Sequence, residues 1–244
     1  MQKNDIVFGT RAVIEAIKKG RSIEKVLVKK GLNNELYQEL YQLMRENEIA
    51  FQFVPLERIN RITRKNHQGV VALLSPVEFY SIESILPGIY ETGKNPFILL
   101  LDQITDVRNF GAIVRSAECA GVHGIIIPEK GMARIGGDAV KTSAGAIHHI
   151  PICRVESLAK TVQFMKDSGI KVVAASEKAT EIYTVSNLNT PLCIVMGSEE
   201  KGISPKILQM ADIQLKIPIL GEIESLNVSV AAALMMYEAV RQRN

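Results

Sequence analysis

Residues 192–204 read LCIVMGSEEKGIS, and residues 224–242 read ESLNVSVAAALMMYEAVRQ. In the first stretch an apolar run, Leu192 to Met196, stops at Gly197, and Ser198, Glu199, Glu200, Lys201 and Gly202 follow at once. That is the pattern of a buried strand opening into a polar turn with a glycine at each end. A second apolar run, around Leu215 to Leu220, closes on Gly221, and Ser225-Leu226-Asn227 then starts the last helix. Ser225 reads as its N-cap, and Ala231 to Ala233 supply strong helix propensity. Two strand ends, each followed by small or hydroxylated residues, can present main-chain N–H and C=O groups to a ligand. Open α/β sheets bind ligands at such edges.

Working outward from these runs, the same alternation fills the chain from Pro96 onward. FILLLD (97–102) reads as a strand, VRNFGAIVRSAECAGV (107–122) as a helix ending near Gly121, and GIIIP (124–128) as a strand. DAVKTSAGAIH is a small-residue helix, SLAKTVQFMKDSG an amphipathic one, and KVVAAS a strand, while IVMG and QLKIP complete the strand series. Strands alternating with helices argue for a parallel sheet covered on both faces. Periodicity alone gives an unknotted doubly wound sheet, because true knots are so rare.

Residues 1–76 form a smaller α/β unit. RAVIEAIKK, with Thr10 as its cap, NNELYQELYQLMRENE and LERINRITRK read as helices; IEKVLVKKG, AFQFVP and GVVALL read as strands. About 75 residues suffice for a small domain. Residues 77–95, with Pro87, Gly88 and Gly93, read as a linker, leaving 96–244 as the larger domain.

The chain of 244 residues is 47% hydrophobic and 23% charged, the balance of an ordinary soluble globular protein. No apolar run is long enough to cross a membrane, and the start MQKNDIVFG has no signal-peptide core. Cys119, Cys153 and Cys193 are odd in number and far apart, which disfavours a disulfide framework or a zinc site and fits a reducing cytoplasm. Charge is uneven: residues 1–75 hold 13 Lys+Arg against 8 Asp+Glu, the rest 16 against 18. The excess is greatest in RINRITRKNHQG (58–69), where Arg58, Arg61, Arg64 and Lys65 have no acid among them. Such a run is most often a solvated helix face; it also suits contact with the phosphates of a nucleic acid.

Signatures of phosphate loops, dinucleotide loops, nucleophile elbows and metal-ligand spacings are missing. His148 and His149 are adjacent and would point to opposite faces of a strand. What remains is a set of polar residues at strand ends: Asp102, Asn109, Arg115, Glu199, Ser225 and Asn227. Each has a plain structural reading. Asn109 can cap a helix, Arg115 can be an exposed helical cation, Glu199 can face the positive end of a helix, and Ser225 and Asn227 can close a first turn. Their recurrence at three strand ends of one domain weighs toward a shared site.

In order and spacing, LDQITDVRNFGAIVRSAECAGV, IVMGSEEKGIS and IPILGEIESLNVSVAAALMMYE resemble the three motifs of the SpoU (TrmH-like) group of SPOUT RNA methyltransferases, over about residues 96–244. The N-terminal unit is similar to the L30e-like substrate-binding domain of the subgroup that methylates guanosine in 23S rRNA. The resemblance implies a trefoil-knotted parallel sheet, S-adenosylmethionine (SAM) as donor, a ribose 2′-hydroxyl as acceptor, no metal, and a homodimer formed through the knotted domain with sites shared between subunits. By motif position SAM should meet Gly197, Ile217 and Leu226, with Ala175 and Ser176 nearby. Arg115 is implicated at the hydroxyl, Asn109 and Glu199 in orienting it, and Ser225 and Asn227 in fixing the last turn and contacting the nucleotide. The apolar residues Leu226, Val230, Leu234 and Met235 are candidates for the dimer face. The other readings are a 2′-O-methyltransferase of tRNA or another rRNA site, an inactive RNA-binding assembly factor, and, more distantly, a small-molecule methyltransferase.

Overall fold

The computed structural model describes residues 6–133 and 135–244. The chain divides into two compact units, residues 1–78 and 79–244.

In the first unit β1 (Ile6–Phe8), α1 (Thr10–Lys18), β2 (Ile23–Lys29), α2 (Glu35–Glu46), β3 (Phe51–Val54), α3 (Leu56–Ile62) and β4 (Val70–Leu74) follow in order. The sheet runs β1-β4-β2-β3, with β2 and β3 parallel and the other pairs antiparallel. Val13, Ile14 and Ile17 of α1 and Leu40 and Met44 of α2 bury one face, while Ile59 of α3 packs on the other. Thr10 is the first residue of α1 and is buried; the cap position belongs to Gly9. In α2 the Asn34 side chain accepts from the Tyr37 N–H at 2.8 Å, the usual way to satisfy a first-turn donor.

The second unit begins with β5 (Phe79–Tyr80) and α4 (Ile82–Glu91), then β6 (Phe97–Leu101), α5 (Val107–Cys119), β7 (Gly124–Pro128), α6 (Gly137–Thr142), a 3-10 turn (Ala146–His148) and β8 (Ile152–Val155). After these come α7 (Leu158–Asp167), β9 (Lys171–Ala175), β10 (Glu181–Ile182), β11 (Leu192–Met196), α8 (Pro205–Met210), β12 (Ile213–Lys216) and α9 (Val228–Arg243). Among the described residues the sheet has eight strands in the order β10-β12-β9-β11-β6-β7-β8-β5, all parallel. Every residue of β6 and β11 is buried, as unbroken apolar runs require when both faces are covered.

Most of the stretch 77–95 is no linker. Phe79 and Tyr80 pair with Ile152 and Cys153 at the sheet edge, and Ser81 caps α4, whose Ile82 and Leu86 enter the core beside Ile98 and Ile126. Pro87 and Gly88 suggested a loop, but burial of Ile82 and Leu86 outweighs their low propensity. Cys153 and Cys193 are buried and free, and Cys119 is exposed and free. No described helix is long and apolar enough to cross a membrane.

The strand order places the site. From β6 the chain works outward through β7 and β8, then crosses back to β9, and β11 inserts between β9 and β6. Parallel strands end on one edge, so β9, β11, β12 and β6 deliver Ala175, Met196, Lys216 and Leu101 to the same side. A crevice at such a reversal of strand order is the favoured ligand position in open α/β sheets.

Candidate active site

A cavity of about 240 Å3 lies at that edge, lined by Ala175, Ser176, Gly197, Ile217 and Leu226 together with Glu199, Ser225, Val228 and Ala231. It is just below the ~300–1,000 Å3 common for small-molecule sites, which suits a ligand whose outer part stays in solvent. All five residues expected at a cofactor are therefore neighbours. The main-chain N–H groups of Gly197, Ile217 and Leu226 make no hydrogen bond to another described residue, so three donors are available at its wall.

The loop after β11 forms one side. Ser198 N–H donates to Gly202 O at 3.1 Å and Gly202 N–H to Ser198 O at 2.9 Å, so the turn closes on itself. A Cβ on Gly197 would lie 2.1 Å from the Gly202 carbonyl carbon and 2.2 Å from the Ile203 nitrogen. A glycine at a strand end can leave room for a ligand to approach the main chain. The structure shows its own returning loop filling that space.

Glu199 projects from this loop into a cluster drawn from three strand ends. Its Oε1 accepts from Asn227 Nδ2 at 2.7 Å, from the Val228 N–H at 3.0 Å and from Asn109 Nδ2 at 3.3 Å. Asn227 Nδ2 also donates to Asn109 Oδ1 at 3.0 Å. A carboxylate accepting from a first-turn N–H satisfies an orphan donor and meets the positive end of the helix dipole. Here that helix is α9, not the nearer α8.

The cap of α9 is Asn227, whose Oδ1 accepts from the Ser229 N–H at 3.0 Å. Ser225, expected in that role, stays outside the helix and lines the cavity instead. With Asn227 and Glu199 serving the first donors, no helical turn need extend back to Ser225. Asn109 likewise is not a cap: Asp106 holds that position in α5, accepting from the Arg108 N–H at 2.6 Å, which frees the Asn109 side chain for the cluster.

Arg115 is the residue that the single chain does not bring in. It is exposed on α5, makes no hydrogen bond or ion pair with another described residue, and does not line the cavity. Six residues beyond Asn109, it lies about 9 Å further along the axis and turned about 120° around it. Within the single chain Asn109 and Glu199 therefore bond Asn227 and the start of α9, and not Arg115.

Arg58 and Arg61 are exposed on α3, which ends at Ile62, so Arg64 and Lys65 lie beyond it. Arg61 and Arg64 share a shallow concavity with Asn60 and Glu57, an acid just outside the stretch that seemed free of them. Lys65 sits 5.6 Å from the centre of the Phe8 ring. The Gly69 N–H donates to His67 Nδ1 at 3.0 Å, which leaves Nε2 to donate to Asn60 Oδ1 at 2.9 Å and folds this segment back on α3. Among the described residues no cluster of His, Cys, Asp or Glu could hold a metal.

Sequence reasoning missed the Val228 N–H and the capping role of Asn227. A scan for Asn directly before an apolar helical run would have found the cap; the Glu199 contact crosses 29 residues and carries no local signal.

Comparison with known proteins adds the following. The profile of the SpoU rRNA methylase family matches residues 96–237, and that of an RNA 2′-O ribose methyltransferase substrate-binding domain matches residues 6–80. The chain is 37% identical to YacO of Bacillus subtilis, assigned to the TrmH family of tRNA/rRNA methyltransferases, over 100% of this chain and 98% of that one. A Staphylococcus saprophyticus protein assigned to the same family is 36% identical over 98% and 96% of the two chains. Among solved structures, an RNA 2′-O ribose methyltransferase is similar with a TM-score of 0.58 at 26% identity, covering 98% and 88%. The SpoU methyltransferase AviRb of Streptomyces viridochromogenes, solved with AdoMet, shares the fold with a TM-score of 0.62 at 24% identity, covering 98% and 90%.

Proposed function

The chain belongs to the SpoU rRNA methylase family of RNA 2′-O-ribose methyltransferases, and on that premise we propose that it methylates the ribose 2′-hydroxyl of a guanosine in 23S rRNA with SAM as donor. The observation that carries the reading is the cluster of Asn109, Glu199 and Asn227 beside the cavity walled by Ala175, Ser176, Gly197, Ile217 and Leu226. The residues fit the donor: free main-chain N–H groups suit its polar atoms, and Leu226, Ile217 and Ala231 suit an adenine face. When bound, SAM supplies an activated methyl group, so no metal and no covalent enzyme intermediate are needed.

The chain's own residues bind, align and stabilise. Three donors on Oε1 hold the Glu199 carboxylate still, and Oε2 makes no hydrogen bond to a described residue, so it is left to accept from an incoming hydroxyl. Ser225 and Asn227 fix the turn before α9 and present polar atoms to the nucleotide. Arg115 stabilises the developing alkoxide. An arginine is always protonated, so this role is easier for it than that of a base.

Because Arg115 lies away from the cavity of its own chain, the reading includes a homodimer in which a second copy brings its Arg115 to this site. An exposed apolar stripe on α9, Val230, Leu234 and Tyr237, with Ile223 and Leu226 before it, supports that interface. Met235, expected on this stripe, is buried in the chain's own core and takes no part. Light scattering should give twice the chain mass; a monomer at working concentration removes the shared site. The same proposal includes trefoil threading of α9, for which its packing on α5 and β11 is the support, RNA contact through Arg58, Arg61, Arg64 and Lys65, and a cytoplasmic location.

The test is to incubate the protein and labelled SAM with unmodified 23S rRNA and with tRNA, then map the ribose that gains a methyl group. Label on a 23S guanosine is the expected result. Label on tRNA or another rRNA site would move the substrate within the family, and no label with no SAM binding would leave an inactive assembly factor.

A further inference from the structure

Asp102 belongs to none of the roles above, yet it is the charged residue whose burial is hardest to explain by stability. It is 4% exposed at the end of β6, and among the described residues it forms no ion pair and its carboxylate has one hydrogen-bond partner, the Ser204 N–H, which donates to Oδ2 at 2.7 Å. The other buried acid among the described residues, Glu238, has Arg241 and Gln242 on it. Burying a carboxylate with so little compensation works against stability, so a specific conformation is the better reason for it.

That conformation is the loop carrying Glu199. The chain leaves β11 at Met196, whose carbonyl accepts from the Asp102 N–H at 2.8 Å. It enters α8 through Ser204, whose N–H is held by the Asp102 carboxylate. One residue thus grips the loop at both ends, while the Ser198–Gly202 pair closes its middle. The entry bond is main chain and survives any substitution; the exit bond belongs to the side chain alone.

We infer that Asp102 is a positioning residue that fixes the 197–203 loop, and through it Glu199 and the cofactor cavity. The inference rests on the methyltransferase reading for its activity readouts only. Asp102→Ala should raise the SAM Kd at least tenfold and lower kcat at least tenfold at saturating SAM, with KM for RNA within threefold of the parent. Asp102→Asn keeps an acceptor for the Ser204 N–H and should return both values to within threefold. Met165→Ala, a core deletion in α7, should leave both values within threefold even if its Tm falls as far.

An Asp102→Ala enzyme within threefold of the parent would overturn the inference. So would an Asn variant as impaired as the Ala variant, or a Met165→Ala enzyme as impaired as either. Amide exchange keeps the test independent of both folding and activity. The Ser204 N–H should be protected in the parent and remain so in Asp102→Asn, and exchange at the rate of an open loop sinks the idea. A parent protein that neither binds SAM nor methylates RNA, yet protects Ser204, would fault the functional reading and not this one.

Discussion

At Gly197 the space of one methyl group decides whether the cavity forms. The Cβ of an alanine there would meet main chain, not a flexible side-chain tip, so the 198–202 turn must open to admit it. Gly197→Ala should therefore cost about 1–3 kcal/mol, the usual range for overpacking, and weaken SAM binding at least tenfold. Chemical denaturation and calorimetry read the two effects, and an alanine variant with parental SAM affinity would mean the turn does not shape the site. Arg115 makes the opposite prediction. Its side chain is exposed and makes no hydrogen bond or ion pair with another described residue, so Arg115→Ala should keep the parental Tm and nearly the parental SAM affinity while abolishing methyl transfer. Normal turnover in that variant would remove Arg115 from the mechanism. Both residues stand in the three family motifs, but only one of them carries its reason locally. The close contact at Gly197 is made by residues five and six positions on; the task of Arg115 requires another surface altogether.

Between elements, small polar clamps set where strands start. Asp212 enters β12 with Oδ2 accepting from the Val172 N–H at 2.8 Å and Oδ1 paired with Lys166 of α7 at 2.8 Å. Burial pushes the Asp212 carboxyl up, but the Lys166 hydrogen bond, the Val172 N–H and the charges of Lys166 and Lys171 together hold it below the usual 3.8. A carboxyl with a lowered folded value contributes stability in full above its unfolded value and loses it as pH falls. The gap in unfolding free energy between the parent and Asp212→Asn should thus be constant above about pH 5 and shrink below about pH 4. Its plateau should be about 0.2–1 kcal/mol, because the pair is partly exposed. A gap that stays constant to pH 3 in denaturant titrations would refute this. At the same scale, helix and strand positions were largely legible: short unbroken apolar runs mark β6, β7, β9 and β11, and the 3.6 period of apolar residues marks α2 and α7. Helix starts were less so. Asp106, Asn109, Ser225 and Asn227 are all plausible caps by type, and which of them caps depends on where the neighbouring loop lies.

Across the whole molecule the boundary between units lies after Glu78, not at Pro96. Residues 79–244 expressed alone should fold cooperatively and bind SAM. A fragment beginning at Pro96 loses β5 and α4, and with them the buried side chains of Ile82 and Leu86, worth roughly 3–6 kcal/mol together. It should aggregate or melt far below the longer fragment; equal Tm values for the two would restore 77–95 as a linker. What the sequence by itself determined was the alternation that makes a parallel sheet, the site residues' types, and the family motifs, since these are patterns within one element or its immediate turn. Only the tertiary structure decided that Asn109, Glu199 and Asn227 share one cluster, that Gly197 is filled by its own loop, and that Arg115 stands apart. Such facts depend on which strands lie side by side. The insertion of β11 between β9 and β6 joins residues far apart in the chain, and no local period encodes that order.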